Sequence, residues 1–560
     1  MSHTQVALTL IPKMVKSPPL KALCLFNSST QQGLQHSPQS ISIIIHHLFS
    51  SKMLSHAQSL IQQLVSNRIT SSCFTLQSLL LHLTQTHFNS TLLYEAIINV
   101  HVQSQLPEQT LFYFNQMTDK GLAPTSNTFN NLLNFLIKSN YFENAWSVFT
   151  ETKNRAVLDM HSFGIMIKGC CDNNDLCRAF EVLAHLEEMG RRPNVVIYTT
   201  LIDGCCKNGD IERAKKLFCQ MEELGLIANQ YTYTVLIDGL FKNGLKKDGF
   251  ELYEKMKLDG VMPDIFTYSS LINVYCNDGR VGRAFELFDE MRERGVACNV
   301  VTYNTLIGGL CQEMRVLEAE KLVGQMKMTG LNPNLITYNT LIEGFCKAGN
   351  MDKASSLFNQ LKSYGLSPSL VTFNVLIAGF SRAGHPGRVV DLVREMEERG
   401  ISPSKVTYTI LIDGFVQSND MEKAFEVHAC LEKAGLLADV CTYGVLIHGL
   451  CSKGNMKEAS KLFISMHEMN LEPNDVIYNM MIYGYCNEGS SYRALRLLKE
   501  MRENGMVPNV ASYSLTIRLL CKEGKLNEGE ILLNYMIKSG LEPSISIFNE
   551  IGKAKSIYTS

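Results

Sequence analysis

An internal period of 35 residues runs through most of this chain. An aromatic residue stands near the start of each period and recurs at this spacing from Tyr198 to Phe548, and upstream at Phe163, Phe129 and Tyr94 with one step of 34 residues. Thirteen full repeats therefore occupy residues 91–544. A period of this kind is typical of stacked repeat units. We therefore expect one repeat array and not the three or four globular domains that a length of 560 residues would otherwise suggest.

Each repeat contains two stripes of apolar residues at helical spacing. In the repeat 195–229, the first stripe consists of Tyr198, Leu201, Ile202 and Cys205. The second stripe consists of Ala214, Leu217, Phe218 and Met221. Both stripes follow the i, i+3, i+4, i+7 pattern of an amphipathic helix, and Gly225 then stands at a helix-stop position. One helical hairpin cannot bury its own apolar face, so we expect an all-α solenoid of about thirteen stacked helix-turn-helix repeats.

The N-terminal part of the chain differs from the rest in charge. Residues 1–94 contain five basic residues and neither Asp nor Glu. Residues 1–40 are rich in Ser, Thr and Gln, which is typical of an organelle transit peptide; a disordered tail is the alternative. Arg is absent before Arg68, so composition separates the organelles poorly. We predict a mitochondrial location, with the chloroplast as the alternative. Residues 41–90 and 545–560 predict a degenerate helical N-terminal cap and a partial repeat that caps the C-terminus.

Several functional classes are excluded by what the sequence lacks. No apolar run approaches the roughly 18 residues of a membrane span. Cysteines recur at one place of the first helix, and we expect these to be small packing residues: Cys171, Cys206, Cys276, Cys311, Cys346, Cys451, Cys486 and Cys521. There is no CxxC pair, no GK phosphate loop and no zinc-deaminase motif, and sixteen residues follow the last full repeat. We therefore expect a protein that is not an enzyme, with no catalytic residues, no metal and no cofactor.

The repeats resemble those of the pentatricopeptide repeat (PPR) family, in particular the P class, which consists only of 35-residue motifs. The VTYNTLI opening begins at Val301, the LIDGCCKNG continuation begins at Leu201, and the GLNPN ending begins at Gly330. The sequences of the repeats are most similar to those of plant restorer-of-fertility-like members. The resemblance covers residues 91–544. It implies a right-handed α-solenoid superhelix that binds single-stranded RNA in an organelle, with one nucleotide per repeat.

Two polar places vary within a narrow set of side chains. The place after the aromatic, here called the reading place, holds Asn130, Thr199, Thr234, Ser269, Asn304, Asn339, Asn374, Thr409 and Asn479. The last place of the repeat, here called the closing place, holds Asp159, Asn229, Asp264, Asn299, Asn334, Ser369, Ser404, Asp439 and Asn509. These side chains differ in donors and acceptors, as discrimination among base edges requires, so we predict that they read RNA bases. Helix N-capping is the alternative at the closing place, or a second role there.

Two further places complete the predicted RNA site. The second residue of the repeat is apolar in many repeats, and the resemblance implies that it sandwiches the bases: Val196, Tyr231, Phe266, Val301, Ile336, Val371, Val406 and Val476. Packing within the solenoid is the alternative for each. A basic residue near the end of the first helix is suited to contact phosphates: Lys138, Lys207, Lys242, Lys347, Arg382 and Lys522. The net charge is −2, so we expect electrostatic attraction to contribute modestly.

The pair preferences of the family imply a target. With the N-terminus toward the RNA 5′ end, the pairs from Asn130 to Asn509 imply the core U-x-A-G-A-Y-C-C-G-x-Y. The pairs Gly164 with Asn194 and Gly444 with Asn474 give the two undetermined letters. We therefore predict sequence-specific RNA binding that affects transcript stability, processing or translation, by occupancy or through a recruited nuclease or other protein factor. The alternative is a protein-protein interaction scaffold of the tetratricopeptide type, with a peptide in the groove.

Overall fold

The structure is a computed structural model that describes residues 17–31, 38–51, 53–65, 90–152 and 157–558. Every regular element in these residues is a helix, which confirms the all-α expectation. The chain forms two compact units, residues 1–270 and 271–560. The predicted transit peptide lies partly outside the described residues, and residue 40, where we predict its end, lies within the helix Pro38–Ser50.

Among the described residues of the first unit, three helices precede a series of paired helices. The first three are Pro19–Gln31, Pro38–Ser50 and Leu54–Val65. The pairs are Ser90–Gln103 with Pro107–Asp119, Ser126–Lys138 with Phe142–Glu151, Met160–Asp172 with Leu176–Glu188, Val195–Lys207 with Ile211–Glu223, and Gln230–Lys242 with Lys246–Leu258. The helix Ile265–Asn277 begins in the first unit and ends in the second.

The second unit continues the same alternation. After Val281–Glu293 its pairs are Val300–Gln312 with Val316–Met328, Leu335–Lys347 with Met351–Ser363, Leu370–Arg382 with Pro386–Glu398, Lys405–Gln417 with Met421–Lys433, Val440–Ser452 with Met456–Glu468, Asp475–Glu488 with Ser491–Glu503, and Val510–Lys522 with Leu526–Lys538. The helix Ile545–Tyr558 follows. Within each unit, first helices of successive repeats pack against one another, which is the stacking expected of an α-solenoid.

The apolar stripes form the core in both units. In the repeat 195–229 every residue of the two predicted stripes is buried. The opening aromatic of a repeat packs edge to face on an aromatic of the preceding second helix: the ring centroids of Phe218 and Tyr233 are 5.4 Å apart, and those of Phe288 and Tyr303 are 5.3 Å apart. Each repeat therefore completes the core of its neighbour.

The helix ends follow from local sequence. Gly225 adopts a φ of +72°, and the N–H of Leu226 donates to the carbonyl of Met221 at 3.0 Å, as in a Schellman stop. At the other end, the closing residue of one repeat is the N-cap of the next first helix. Asn334 Oδ1, for example, accepts the N–H of Thr337 at 3.0 Å. The same bond to the third residue of the next repeat is made by Asp159, Asn194, Asn229, Asp264, Asn299, Ser369, Ser404, Asp439, Asn474 and Asn509.

Small residues bring successive first helices close together. Gly344 lies against Cys311 of the preceding repeat, and a Cβ at Gly344 would stand 2.5 Å from its Sγ and 2.9 Å from its Cβ. Gly309 and Gly379 face Cys276 and Cys346 in the same way. All the cysteines predicted at this place are buried except Cys486, which is partly buried. The structure thus agrees with their expected role in packing.

Burial also makes these thiols unreactive. It raises the pKa of Cys171, Cys206, Cys276, Cys311, Cys346 and Cys451 to about 12. The thiolate is the nucleophile and the metal ligand, and at neutral pH it is scarcely populated at such pKa values. Among the described residues, no group of three or more His, Cys, Asp or Glu side chains is arranged to hold a metal ion.

We predict that Gly344→Ala destabilises the protein. The added methyl would overlap Cys311, and overpacking of this kind costs roughly 1–3 kcal/mol. Gly324→Ala is the matched control, because Gly324 is also helical and has nothing within 4 Å of its added Cβ. The melting temperature, followed by circular dichroism, should fall for Gly344→Ala and stay equal or rise for Gly324→Ala. Equal melting temperatures for the two variants would contradict the close-packing interpretation.

The N-cap interpretation gives a second prediction. Asn334→Ala should lower the free energy of unfolding by about 0.5–2 kcal/mol, because the N–H of Thr337 loses its acceptor. Asn334→Asp should keep the stability, since Asp caps helices as well as Asn does. Denaturant unfolding of both variants measures this difference. A loss of stability with Asp as large as that with Ala would show that capping is not what Asn334 contributes.

Candidate nucleic-acid interface

The apolar residues at the second place of the repeats have two interpretations, base sandwiching and packing within the solenoid. Their exposure to solvent separates the two. All eight apolar residues predicted at this place are exposed, with exposed fractions from 50% for Val476 to 69% for Phe266. They stand on the first helix, one turn or less from residues that are wholly buried, such as Tyr303 beside Val301. Packing within the solenoid therefore does not account for them. A recurring series of exposed apolar side chains is typical of a binding surface.

The reading and closing residues lie next to each other in several repeats. In the first unit, Asn130 Nδ2 is 3.2 Å from both carboxylate oxygens of Asp159, and Thr234 Oγ1 is 3.4 Å from Asp264 Oδ1. In the second unit, Asn304 Nδ2 donates to Asn334 Oδ1 at 3.3 Å. The two places predicted to act as a pair are thus brought together by the fold, although they are about 30 residues apart in the chain.

A third member of this cluster was not predicted from the sequence. The third residue of the following repeat is a Thr or Ser whose hydroxyl is bonded to the reading residue. Thr337 Oγ1 donates to Asn304 Oδ1 at 2.7 Å, and Thr372 donates to Asn339 Oδ1 at 2.8 Å. The same bond joins Ser162 to Asn130, Thr407 to Asn374 and Ser512 to Asn479. We call this the third-place hydroxyl.

The third-place hydroxyl also faces the reading residues that are threonines. Thr232 lies 2.8 Å from Thr199, Thr267 lies 2.7 Å from Thr234, and Thr442 lies 2.9 Å from Thr409, each measured between Oγ1 atoms. In every case the third-place residue is buried, with an exposed fraction of 0–2%. From the sequence alone this residue looks like the third residue of a capped helix. Its recurrence as Thr or Ser before the aromatic was the available signal.

Three repeats after the first lack the third-place hydroxyl; two of them follow a repeat with glycine at the reading place, and one follows a repeat with serine there. Ile197 follows the repeat of Gly164, and Ile477 follows the repeat of Gly444. A Cβ on Gly444 would lie 3.5 Å from Ile477 Cγ1, an ordinary van der Waals contact, so the isoleucine stands directly beside the reading place. Ile547 follows the repeat of Ser514, whose hydroxyl donates to the carbonyl of Val510 in its own helix at 2.6 Å.

Neighbouring side chains set the protonation state of two closing residues. Asp159 is partly buried, which opposes ionisation, but hydrogen bonds from Ser162 and Asn130 outweigh this and lower its pKa. The pKa of Asp439 is lowered in the same way, against its burial, by bonds from Thr442 and from Lys405, whose Nζ is 3.0 Å from Asp439 Oδ2. Both side chains are therefore carboxylates, and acceptors only, at neutral pH.

The basic series is less positive than the sequence suggested. Lys207, Lys242 and Lys347 each lie 2.7 Å from a carboxylate four residues earlier, on Asp203, Asp238 and Glu343. These exposed ion pairs are weak, so a phosphate could displace the carboxylate, but the net local charge is close to zero.

In the described part of the chain, no helix is sufficiently long and apolar to cross a membrane.

The repeats match a known protein family. A model described as the PPR repeat family matches residues 124–172, 193–242, 234–277, 268–312, 298–347, 333–382, 368–417, 406–452, 438–476 and 473–522, and a PPR repeat model matches 511–541. The chain is 57% identical over 201 residues to a pentatricopeptide repeat-containing protein of Arabidopsis thaliana, covering 36% of each chain. It is 31% identical over 84 residues to a mitochondrial pentatricopeptide repeat-containing protein of the same plant, covering 15% of this chain and 21% of the relative.

The chain thus spans about a third or less of these relatives. The crystal structure of the pentatricopeptide repeat protein PPR10 from maize is similar over 99% of this chain and 86% of its own, with a TM-score of 0.61 and 20% identity, which shows a shared α-solenoid fold. The family models together match well over half of the residues, in the register of the 35-residue period. The chain belongs to the pentatricopeptide repeat family.

Proposed function

We propose that this protein binds single-stranded RNA sequence-specifically, with one base per repeat. The observation that carries the proposal is a repeated constellation: an exposed apolar side chain at the second place, beside a polar pair at the reading and closing places. A base could stack between successive apolar side chains while its edge faces the pair. The P class and the restorer-of-fertility-like subtype stay predictions.

The polar pairs have the chemistry that base discrimination needs. Asn130 with Asp159 combines an amide with a carboxylate, whereas Thr234 with Asp264 combines a hydroxyl with a carboxylate. Different donor and acceptor sets favour different base edges. The order of pairs along the chain, assigned by the family's preferences, gives the target U-x-A-G-A-Y-C-C-G-x-Y. Exposed ion pairs such as Lys207 with Asp203 support a modest role for phosphate contacts.

The proposed action in the cell follows from binding alone. We infer that the protein is not an enzyme and acts by occupying a transcript, or by recruiting a nuclease or another protein factor. We place it in an organelle, and propose the mitochondrion with the chloroplast as the alternative. An N-terminal segment without acidic residues and the mitochondrial relative from Arabidopsis support this location.

Fluorescence anisotropy of the full chain tests the proposal. The probes are a labelled RNA with the sequence U-x-A-G-A-Y-C-C-G-x-Y, a shuffled RNA and the matching DNA, at physiological salt. Tight binding to the first probe alone would support both the function and the register. Equal binding to all three would support a nucleic-acid binder with a wrongly assigned code. No binding by the folded chain would overturn the proposal in favour of a protein-interaction scaffold.

A single reading residue should change the preferred base. Thr234→Asn, beside the unchanged Asp264, should shift the preference at the corresponding base from G toward U, because an amide replaces a hydroxyl next to the same carboxylate. The measurement is anisotropy with all four bases at that position. Thr200→Asn is a suitable control, because the Thr200 hydroxyl is exposed and donates to its own helix at Val196. An unchanged preference in Thr234→Asn would show that the register or the code is wrong.

The exposed apolar series gives a prediction about affinity. Val371→Ser should weaken binding of the target RNA by about 1 kcal/mol, or roughly fivefold, because it removes apolar contact with a stacked base. Val390→Ser is the matched control, since Val390 is a comparably exposed valine on the second helix of the same repeat. Both variants should keep the melting temperature of the unaltered protein. Equal affinities for the two variants would argue against base sandwiching by Val371.

A further inference from the structure

We propose that the third-place hydroxyl of each repeat is a positioning residue that sets which hydrogen-bonding group the preceding repeat presents to its base. The inference rests on the proposed RNA binding, because it concerns the base-reading side chains of that site. It makes the specificity of one position a property of two successive repeats. The observations that carry it are the bonds to asparagine at the reading place, the bonds to threonine at the reading place, and the two isoleucine repeats that follow a glycine.

An asparagine at the reading place presents a single hydrogen-bonding group to a base only if a neighbouring residue holds its amide in one orientation. Its amide can turn over and expose either the oxygen or the nitrogen, which have opposite polarity. Thr337 removes this freedom for Asn304, because its Oγ1 donates to Asn304 Oδ1 at 2.7 Å. The alternative acceptor for that hydroxyl, Asn334 Oδ1 at 3.1 Å, already accepts the N–H of Thr337 at 3.0 Å. Asn304 is left with Nδ2, a donor, beside the closing residue.

A threonine at the reading place presents an acceptor to the base, where asparagine presents a donor, and its third-place neighbour is again the cause. The Thr409 hydroxyl donates its single proton to the carbonyl of Lys405 at 3.0 Å, and its oxygen lies 2.9 Å from Thr442 Oγ1. Thr442 has a second acceptor in Asp439 Oδ1 at 3.1 Å, but the contact with Thr409 is shorter, so Thr442 can act as the donor there and Thr409 keeps a lone pair as an acceptor for the base. Thr199 and Thr234 make the equivalent pair of bonds, to Val195 and Thr232 and to Gln230 and Thr267.

The repeats with isoleucine at the third place are consistent with this dependence. An isoleucine cannot donate, so an asparagine before it would turn its oxygen toward an apolar side chain, and a buried polar atom without a partner is costly. The chain instead has Gly164 before Ile197 and Gly444 before Ile477. Ile477 and Ile197 are themselves buried, with exposed fractions of 2% and 1%. Two of the three isoleucines at this place thus follow a glycine, and the third, Ile547, follows Ser514, whose hydroxyl is bonded within its own helix.

The first test removes the hydroxyl and keeps its shape. Thr337→Val in the full chain should reduce the discrimination between bases opposite Asn304 by roughly twofold to tenfold, the value of one ordinary hydrogen bond, while preferences at the other positions stay unchanged. The probe is the RNA U-x-A-G-A-Y-C-C-G-x-Y with all four bases placed at each position in turn. Thr340→Val is the matched control, because the Thr340 hydroxyl lies on the same helix and donates to its own backbone at Ile336.

A purely structural role for Thr337 predicts a different result. It would lower the melting temperature and weaken all probes by the same factor, without a change in the preference at one position. That outcome, or a base profile identical to that of the unaltered protein, would overturn the inference. If the unaltered protein binds no probe, the proposed function itself fails, and this is seen before any variant is compared.

The second test builds the pair where it is absent. Gly444→Asn alone should give little new preference at the corresponding base, although the Cβ fits at 3.5 Å from Ile477 Cγ1. Gly444→Asn combined with Ile477→Thr should create a pyrimidine preference there, because the introduced asparagine would gain the donor that Thr337 supplies to Asn304. Ile477→Thr alone is the control. An equal preference in the single Gly444→Asn variant and the double variant would overturn the inference.

Discussion

The close contact between first helices of successive repeats is the feature on which the rest of each unit depends. A glycine of one helix faces a small side chain of the one before it, as Gly344 faces Cys311. Because no Cβ intervenes, the two backbones approach closely enough for apolar residues of adjacent repeats to share one core. The same approach brings Thr337 within hydrogen-bond distance of Asn304. Packing and the polar cluster are therefore two results of one helix-helix distance.

The closing place shows why the variable side chains come from so small a set. Asn334 caps the next helix through Oδ1 and also meets the reading residue of its own repeat. Only Asn, Asp, Ser and Thr combine a good N-cap with a hydrogen-bonding group that can face a ligand. Exchange among these side chains alters the surface offered to a base and leaves the helix start intact. A repeat can thus change its proposed specificity at little cost in stability.

The balance of forces in the proposed interface is unusual for a nucleic-acid binder. Lysines such as Lys242 stand beside carboxylates, and the whole chain has a net charge of −2. Counterion release, which dominates binding by strongly basic proteins, is therefore a smaller contribution. In the proposed binding mode, apolar side chains exposed at the second place, Val301 and Val371 among them, would supply stacking surface instead. Short-range contacts of this kind depend on geometry, and the hydrogen bonds among Asn304, Asn334 and Thr337 fix the positions of the polar side chains beside them.

Much of this structure follows from patterns within one repeat. The helix positions, the buried stripe from Tyr198 to Cys205, the packing role of Cys311 and the N-cap role of Asn334 depend on a 3.6-residue helical spacing and on neighbours along the chain, and both can be seen in the printed sequence. The ion pair of Lys207 with Asp203 is equally local and could have been predicted from its i, i+4 spacing.

The bond between Thr337 and Asn304 is of another kind. The two residues are 33 positions apart, and each has a satisfactory local explanation, as a capped-helix residue and as a reading residue. Whether their atoms meet depends on the distance and tilt between two helices, and the spacing of residues within either helix contains no information on these. The chain's own periodicity thus determines which side chains recur and on which helix face they stand. The packing of one helix on the next decides which of them form hydrogen bonds with each other.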